Sequence, residues 1–117
     1  VSMLANIEHF QNGIIVRLKG ELDHHNADKV RSLIEQAMMK EQVKHVVMDL
    51  QQLVFMDSSG IGVILGRYKQ VKARGGRMII CHANRTVNRL LEISGLFKII
   101  ESCDDEHHAL SSLEVVS

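Results

Sequence analysis

The stretch Phe55-Met56-Asp57-Ser58-Ser59-Gly60-Ile61-Gly62, FMDSSGIG, sits between two apolar patterns of different period. Before it runs His45-Val46-Val47-Met48-Asp49-Leu50, nearly continuous in apolar character. Such a run suits a central parallel strand covered on both faces. After it, Ile61, Ile64, Leu65, Tyr68 and Val71 recur at helical spacing. That stripe predicts a helix of about 58–74, closed by Gly75-Gly76. The stretch is therefore a strand-to-helix junction. Asp57 or Ser58 can cap the helix, and a cap contributes about 1 kcal/mol. One cap suffices, yet Asp57, Ser58 and Ser59 stand in a row. Gly60 and Gly62 each cost a helix about 1 kcal/mol. Small residues there leave the backbone bare for a partner to approach.

Working outward, the same two periods recur. Asn12-Gly13 is a hairpin signal between Leu4–Phe10 and Ile14–Lys19, read as an antiparallel pair. Gly20–His25 reads as a loop. Ala27, Val30, Ile34, Ala37 and Met38 mark a helix of about 26–40, with Asp23 or Asn26 placed to cap it. Beyond the junction, Met78–Cys81 reads as a strand. Val87, Leu90, Leu91 and Ser94 mark a third helix stopped by Gly95, and Ile99-Ile100 a short last strand. Ser102 followed by Asp105 resembles a capping box, opening a helix with Ala109, Leu110 and Leu113 on one face. The order β-β-α-β-α-β-α-β-α predicts an α/β fold: a mixed, mainly parallel sheet, an N-terminal antiparallel hairpin and about four helices. In such sheets function gathers at the carboxyl ends of the strands. The loops Gly20–His25, Val54–Ser58 and His82–Arg85 should share that edge, making Asp23 and Ser58 neighbours.

Composition narrows the function classes. A chain of 117 residues predicts one domain, 1–117. Fourteen basic residues balance fourteen acidic ones, so no global field draws the chain to nucleic acid or an anionic membrane. Aromatics make up only 3%, so stacking platforms for single-stranded nucleic acid are scarce. No segment has the apolar length of a membrane span. The opening VSMLANIEHF lacks the regions of a signal peptide, and the expected home is the cytoplasm. Cys81 and Cys103 lie far apart without a CxxC. Cys81 reads as a small buried hydrophobe, and a disulfide is not expected.

Catalytic patterns are weak. His24-His25 and His107-His108 are adjacent pairs, without HxxxH or HExxH spacing, so no metal site is expected. GxSxG is absent, because Met56 and Asp57 precede Ser58. No GxxxxGK[ST] cradle occurs. The helix start near Gly60, Gly62 and Gly66 can attract an anion, but the apolar stripe leaves few polar anchors for a nucleotide. Arg67, Lys69, Lys72, Arg74 and Arg77 read as a solvated face.

Three blocks together carry a resemblance: Gly20-Glu21-Leu22-Asp23-His24-His25, FMDSSGIGVILGRYK, and Ser94-Gly95-Leu96-Phe97-Lys98-Ile99-Ile100. In this register and spacing the chain resembles the STAS domain family of anti-sigma-factor antagonists over nearly its whole length. The resemblance implies a STAS-like fold and a phosphorylation switch rather than an enzyme. It implies that Ser58 is phosphorylated by an anti-sigma factor that is itself a serine kinase. The unphosphorylated form then binds that kinase and releases a sporulation sigma factor, and a PP2C-type phosphatase restores it. Asp57 would cap the helix and present it. Asp23 and His24 would flank the docking surface, with Ser59 within it, and Gly60, Ile61 and Gly62 would admit the partner closely. Ser59, about 100° further round the helix, suits backbone contact better than reaction. No cofactor is implied, and a free monomer is expected. Two rival readings remain: a nucleotide- or small-molecule-binding regulatory domain of the same fold, and a hydrolase using Ser58.

Overall fold

The computed structural model describes residues 4–40 and 43–114; residues 1–3 and 115–117 of the expected 1–117 domain lie outside them. β1 (Leu4–Phe10) and β2 (Gly13–Leu22) form the antiparallel hairpin. Its two-residue turn is Gln11-Asn12, one step earlier than the Asn-Gly reading, because Gly13 already pairs with Phe10. Asn12 takes the left-handed conformation at φ 74, which asparagine tolerates better than most residues. Gly13 is needed for space: a side chain there would run into the Phe10 ring and the His45 carbonyl.

After β2 come α1 (Ala27–Met39), β3 (His45–Met56), α2 (Ser58–Ala73), β4 (Met78–Cys81), α3 (Arg85–Ile93), a short 3-10 turn (Leu96–Lys98), β5 (Glu101–Cys103) and α4 (Glu106–Leu113). The strand order is β1-β2-β3-β4-β5. Beyond the hairpin every strand pair is parallel, so the fold is the expected α/β arrangement with a mixed sheet and four helices. Alternation across the pleat divides the apolar residues into two cores. Ile14, Val16, Val46, Met48 and Ile80 pack with α1, α2 and α3 on one face. Ile15, Val47, Ile79 and Cys81 pack with α4 on the other. Among the described residues, no helix is long and apolar enough to cross a membrane.

Several boundaries differ from the sequence reading. β2 runs on to Leu22 and β3 to Met56, through register shifts between Arg17 and Lys19 and between Gly20 and Glu21. The last strand is Glu101–Cys103, not Ile99-Ile100. Ile100 instead fills the larger core from the residue before the strand. Asp105, not Ser102, caps α4, accepting from the His108 N–H at 2.8 Å. Neither Asp23 nor Asn26 caps α1 with its side chain. The Asp23 carbonyl accepts from Asn26 and Ala27 N–H instead.

The basic face is also corrected. Arg67 is only 7% exposed. It packs between α1 and α2 with Nη2 3.5 Å from Glu35, and burial holds its pKa below the usual value. Arg74 donates to the Met38 and Val43 carbonyls, and Arg77 to Glu101 and the Ser112 carbonyl. Lys69, Lys72 and Arg74 remain exposed as expected. The arginines are spent on joining elements.

Two glycines of α2 have opposite surroundings. A Cβ at Gly60 would clash with Met56 and lie 3.0 Å from Leu22 Cγ, whereas one at Gly62 meets nothing within 4 Å. Gly60→Ala is expected to cost about 1–3 kcal/mol through overpacking. Gly62→Ala is expected to stabilise by about 0.5–1 kcal/mol, by removing helical glycine. Urea titrations of the two variants check this; equal effects would refute the inward placement of Gly60.

Candidate functional site

Leu22 and Met56 are register partners at the ends of β2 and β3. The chain therefore leaves both strands side by side, and the loops carrying Asp23 and Asp57 start as neighbours. Main-chain pairing continues one step further, since the Asp57 N–H donates to the Leu22 carbonyl at 3.2 Å. Asp57 then turns into α2. Its Oδ1 accepts from the Ser59 N–H at 2.8 Å and the Gly60 N–H at 3.4 Å. Its Oδ2 accepts from the His24 N–H at 3.2 Å. One carboxylate thus caps a helix and clamps the neighbouring loop. Burial pushes this carboxyl upward, but the N–H groups of Ser59, Gly60 and His24 outweigh it and hold its pKa below the ordinary value.

The neighbouring loop is fastened at several points. Asp23 Oδ1 accepts from the His25 N–H at 2.9 Å. Asn26 Oδ1 accepts from the Asp23 N–H at 3.0 Å, and its Nδ2 donates to the Glu21 carbonyl at 2.7 Å. The His24 and His25 rings lie with centroids 4.0 Å apart, tilted by 36°, and both are exposed. The third strand-end loop, after β4, meets β3 through Asn84, whose Nδ2 donates to the Leu53 carbonyl at 2.6 Å. The expected gathering of three loops at one sheet edge is present.

Ser58 is the first residue of α2 and is exposed, while Ser59 is half-buried. Gly62 is exposed, one helical turn beyond Ser58, and Gly66 one turn beyond that with open space at its Cα. These positions share a face and leave a strip of bare backbone beside the serine. Ile61 is half-buried against the larger core. Gly60 differs from expectation: it is buried, and Met56 and Leu22 account for its missing side chain. It seats the helix rather than facing outward. Sequence reasoning left His25, Asn26 and Gly66 out of the docking surface. The adjacent His24-His25 pair was a visible signal for the first. The hydrogen bonds of Asn26 had none, because they depend on β2 running on to Leu22.

The residues brought together are backbone donors, two engaged carboxylates (Asp23 and Asp57), exposed hydroxyl and imidazole groups, and a bare helix face. Such a set can present Ser58 to another protein.

A family model described as the STAS domain matches residues 5–109. The anti-sigma F factor antagonist of Paenibacillus polymyxa is 50% identical over 117 residues, covering 100% of both chains. A solved structure of the anti-sigma factor antagonist SpoIIAA in its unphosphorylated form shares 29% identity and a TM-score of 0.78, over 97% of this chain and 100% of that one. The Bacillus cell fate determinant SpoIIAA in its phosphorylated form shares 30% identity and a TM-score of 0.75, over 95% and 100%.

The Asp57 clamp has a defined pH dependence. Its folded pKa lies below the ordinary Asp value, so the unfolded chain binds the proton more readily. The clamp therefore stabilises the fold above that ordinary value of about 3.9 and is lost as pH falls through the folded one. Asp57→Ala is expected to cost about 0.5–2 kcal/mol at neutral pH. In urea titrations the gap from wild type should shrink as the solution is acidified. A gap independent of pH would refute the charge-assisted clamp.

Proposed function

The chain belongs to the STAS domain family, and on that premise we propose that it is an anti-sigma-factor antagonist switched by phosphorylation of Ser58. The unphosphorylated protein binds an anti-sigma factor that is a serine kinase and releases a sporulation sigma factor. Phosphate on Ser58 ends that binding, and a PP2C-type phosphatase restores it. The protein is substrate and ligand, with no catalysis of its own. It works in the cytoplasm, as a monomer when free, and its domain takes in residues 1–117. Neither nucleic acid nor membrane is a partner.

The observation that carries this reading is the exposed Ser58 immediately after a carboxylate occupied on both oxygens. Asp57 already caps the helix, so the Ser58 hydroxyl is not needed as the cap. Half-buried Ser59 offers less access, which favours Ser58 as the acceptor. The docking surface in this proposal is formed by Asp23, His24, Asp57, Ser59, Ile61 and Gly62. Gly60 contributes from beneath by setting the position of α2.

Phosphorylation adds about −1.5 to −2 charges. At a helix N-terminus that charge meets the positive end of the dipole, worth roughly 0.3–2 kcal/mol. The fold therefore tolerates the phosphate, and the penalty falls on docking. A thousandfold loss of affinity needs only about 4 kcal/mol, which a desolvated, unpaired dianion in an interface can supply.

Incubation with a cognate anti-sigma kinase and ATP, followed by mass-spectrometric mapping, tests the switch. Phosphate is expected on Ser58, retained in Ser59→Ala and absent in Ser58→Ala. No phosphate under conditions where the kinase modifies a known substrate would overturn the proposal and favour the nucleotide-binding alternative.

In partner titrations of the unmodified protein, Asp23→Ala and Ile61→Ala are each expected to weaken binding by about tenfold, or roughly 1.4 kcal/mol. Unchanged affinity in both would remove those residues from the surface.

A further inference from the structure

The sequence separates the two cysteines widely, but the sheet brings them together. Cys81 ends β4, Cys103 ends β5, and the parallel register pairs them directly. Paired positions on neighbouring strands lie roughly 4.8 Å apart, within the Cα span of about 4.4–6.8 Å that a disulfide bridges. The pleat sends partners to one face, and both residues belong to the smaller core beneath α4. Both are free thiols, Cys81 buried and Cys103 partly exposed. Both also line a pocket of about 280 Å³ at the carboxyl ends of their strands, with His82, Asn88 and Asp104 at its walls. β5 is a three-residue strand at the sheet edge, so a small adjustment there disturbs no further strand.

We propose that Cys81 and Cys103 form a dithiol modification site, which low-molecular-weight disulfides entering this pocket oxidise to an intramolecular disulfide. Cys103, the more exposed, is the entry point. Its thiolate attacks one sulfur of the oxidant, forming a mixed disulfide and expelling one carrier thiolate. The Cys81 thiolate then attacks the Cys103 sulfur, and the bond to the second carrier thiol breaks. Two protein thiols are oxidised and one small disulfide is reduced to two thiols, which take up the two protons. Burial pushes the Cys81 thiol up to about 12 and raises Cys103 as well. Closure is accordingly slow at neutral pH and accelerates as the thiolate becomes available. The Cys103 thiol also donates to the Asp105 carbonyl at 3.5 Å, at the residue that caps α4. Oxidation removes that donor and ties the edge strand to its neighbour.

The test incubates the folded chain with excess oxidised glutathione at neutral and alkaline pH, quenches with acid, and reads intact mass and a non-reducing peptide map. The wild type is expected to lose two hydrogens, with the Cys81 and Cys103 peptides linked, at a rate rising about tenfold per pH unit. Cys81→Ser should stop at one glutathione on Cys103, and Cys103→Ser should take none. A wild-type chain that holds glutathione without losing two hydrogens, crosslinks to a second chain, or stays fully reduced at both pH values overturns the proposal.

Discussion

Two strand-end loops and one helix start meet at the Asp57 carboxylate. Its Oδ1 holds the first free N–H groups of α2, and its Oδ2 holds the His24 N–H from the loop after β2. The Asp57 main chain meanwhile extends the pairing of β3 with β2. Removing water from the carboxylate opposes the arrangement, and N–H groups from two elements overcome that cost. The positions of Ser58, Asp23, His24 and the bare face of α2 all depend on this point. The packing below is equally specific. Gly60 lies over Met56 and Leu22, the register partners that end β3 and β2. The carboxylate above and the missing side chain below fix α2 at the same place.

Much of this was legible before any coordinates. The change from a continuous apolar run to a 3.6-residue stripe located the junction, and the alternation of strands and helices gave the parallel sheet. What escaped the sequence did so for physical reasons. β3 continues past Leu50 as Gln51 and Gln52, where it is exposed, and returns to the core at Leu53 and Met56. A strand that emerges from cover midway loses its apolar signature there. β5 is polar and lies at the edge, so Glu101-Ser102-Cys103 carries no apolar signature, while the Ile99-Ile100 pair beside it does. The docking-loop readings for Asp23, His24 and Ser58 came from family resemblance. The structure adds the hydrogen bonds that hold those residues at one edge, and it reassigns Gly60 from surface to packing.

Charged residues inside the fold were the least visible class. Arg67 stands between Ile64 and Val71 on the inward side of α2, so helical spacing alone pointed it toward the core despite its charge. On the other face, Asp49 is 7% exposed. Burial raises its carboxyl, and the neighbouring Glu106 adds to the effect. Arg17 forks onto both oxygens of Glu106 at 2.8 Å and holds that carboxyl low. This pairing joins α4 to β2 from the far face of the sheet. Both faces combine aliphatic packing with an ion pair: Arg67 and Glu35 lie between α1 and α2 on one, and Arg17 and Glu106 join β2 to α4 on the other.

The packing under α2 bears on how a surface modification can act without unfolding the protein. Ser58 begins a helix whose inward residues Gly60, Val63, Ile64 and Val71 are buried in the larger core. A phosphate added at the outer side of that start removes none of this packing. It sits near the Asp57 carboxylate, but that charge is already solvated by backbone N–H groups, and the helix dipole favours a second anion. For the isolated domain these terms oppose one another and the net effect is small. For a partner laid against Gly62 and Ile61, as proposed, they do not cancel, because docking would remove the water that screens the dianion. In the proposed switch the same modification is thus nearly neutral to folding and costly to binding, which is the asymmetry reversibility requires.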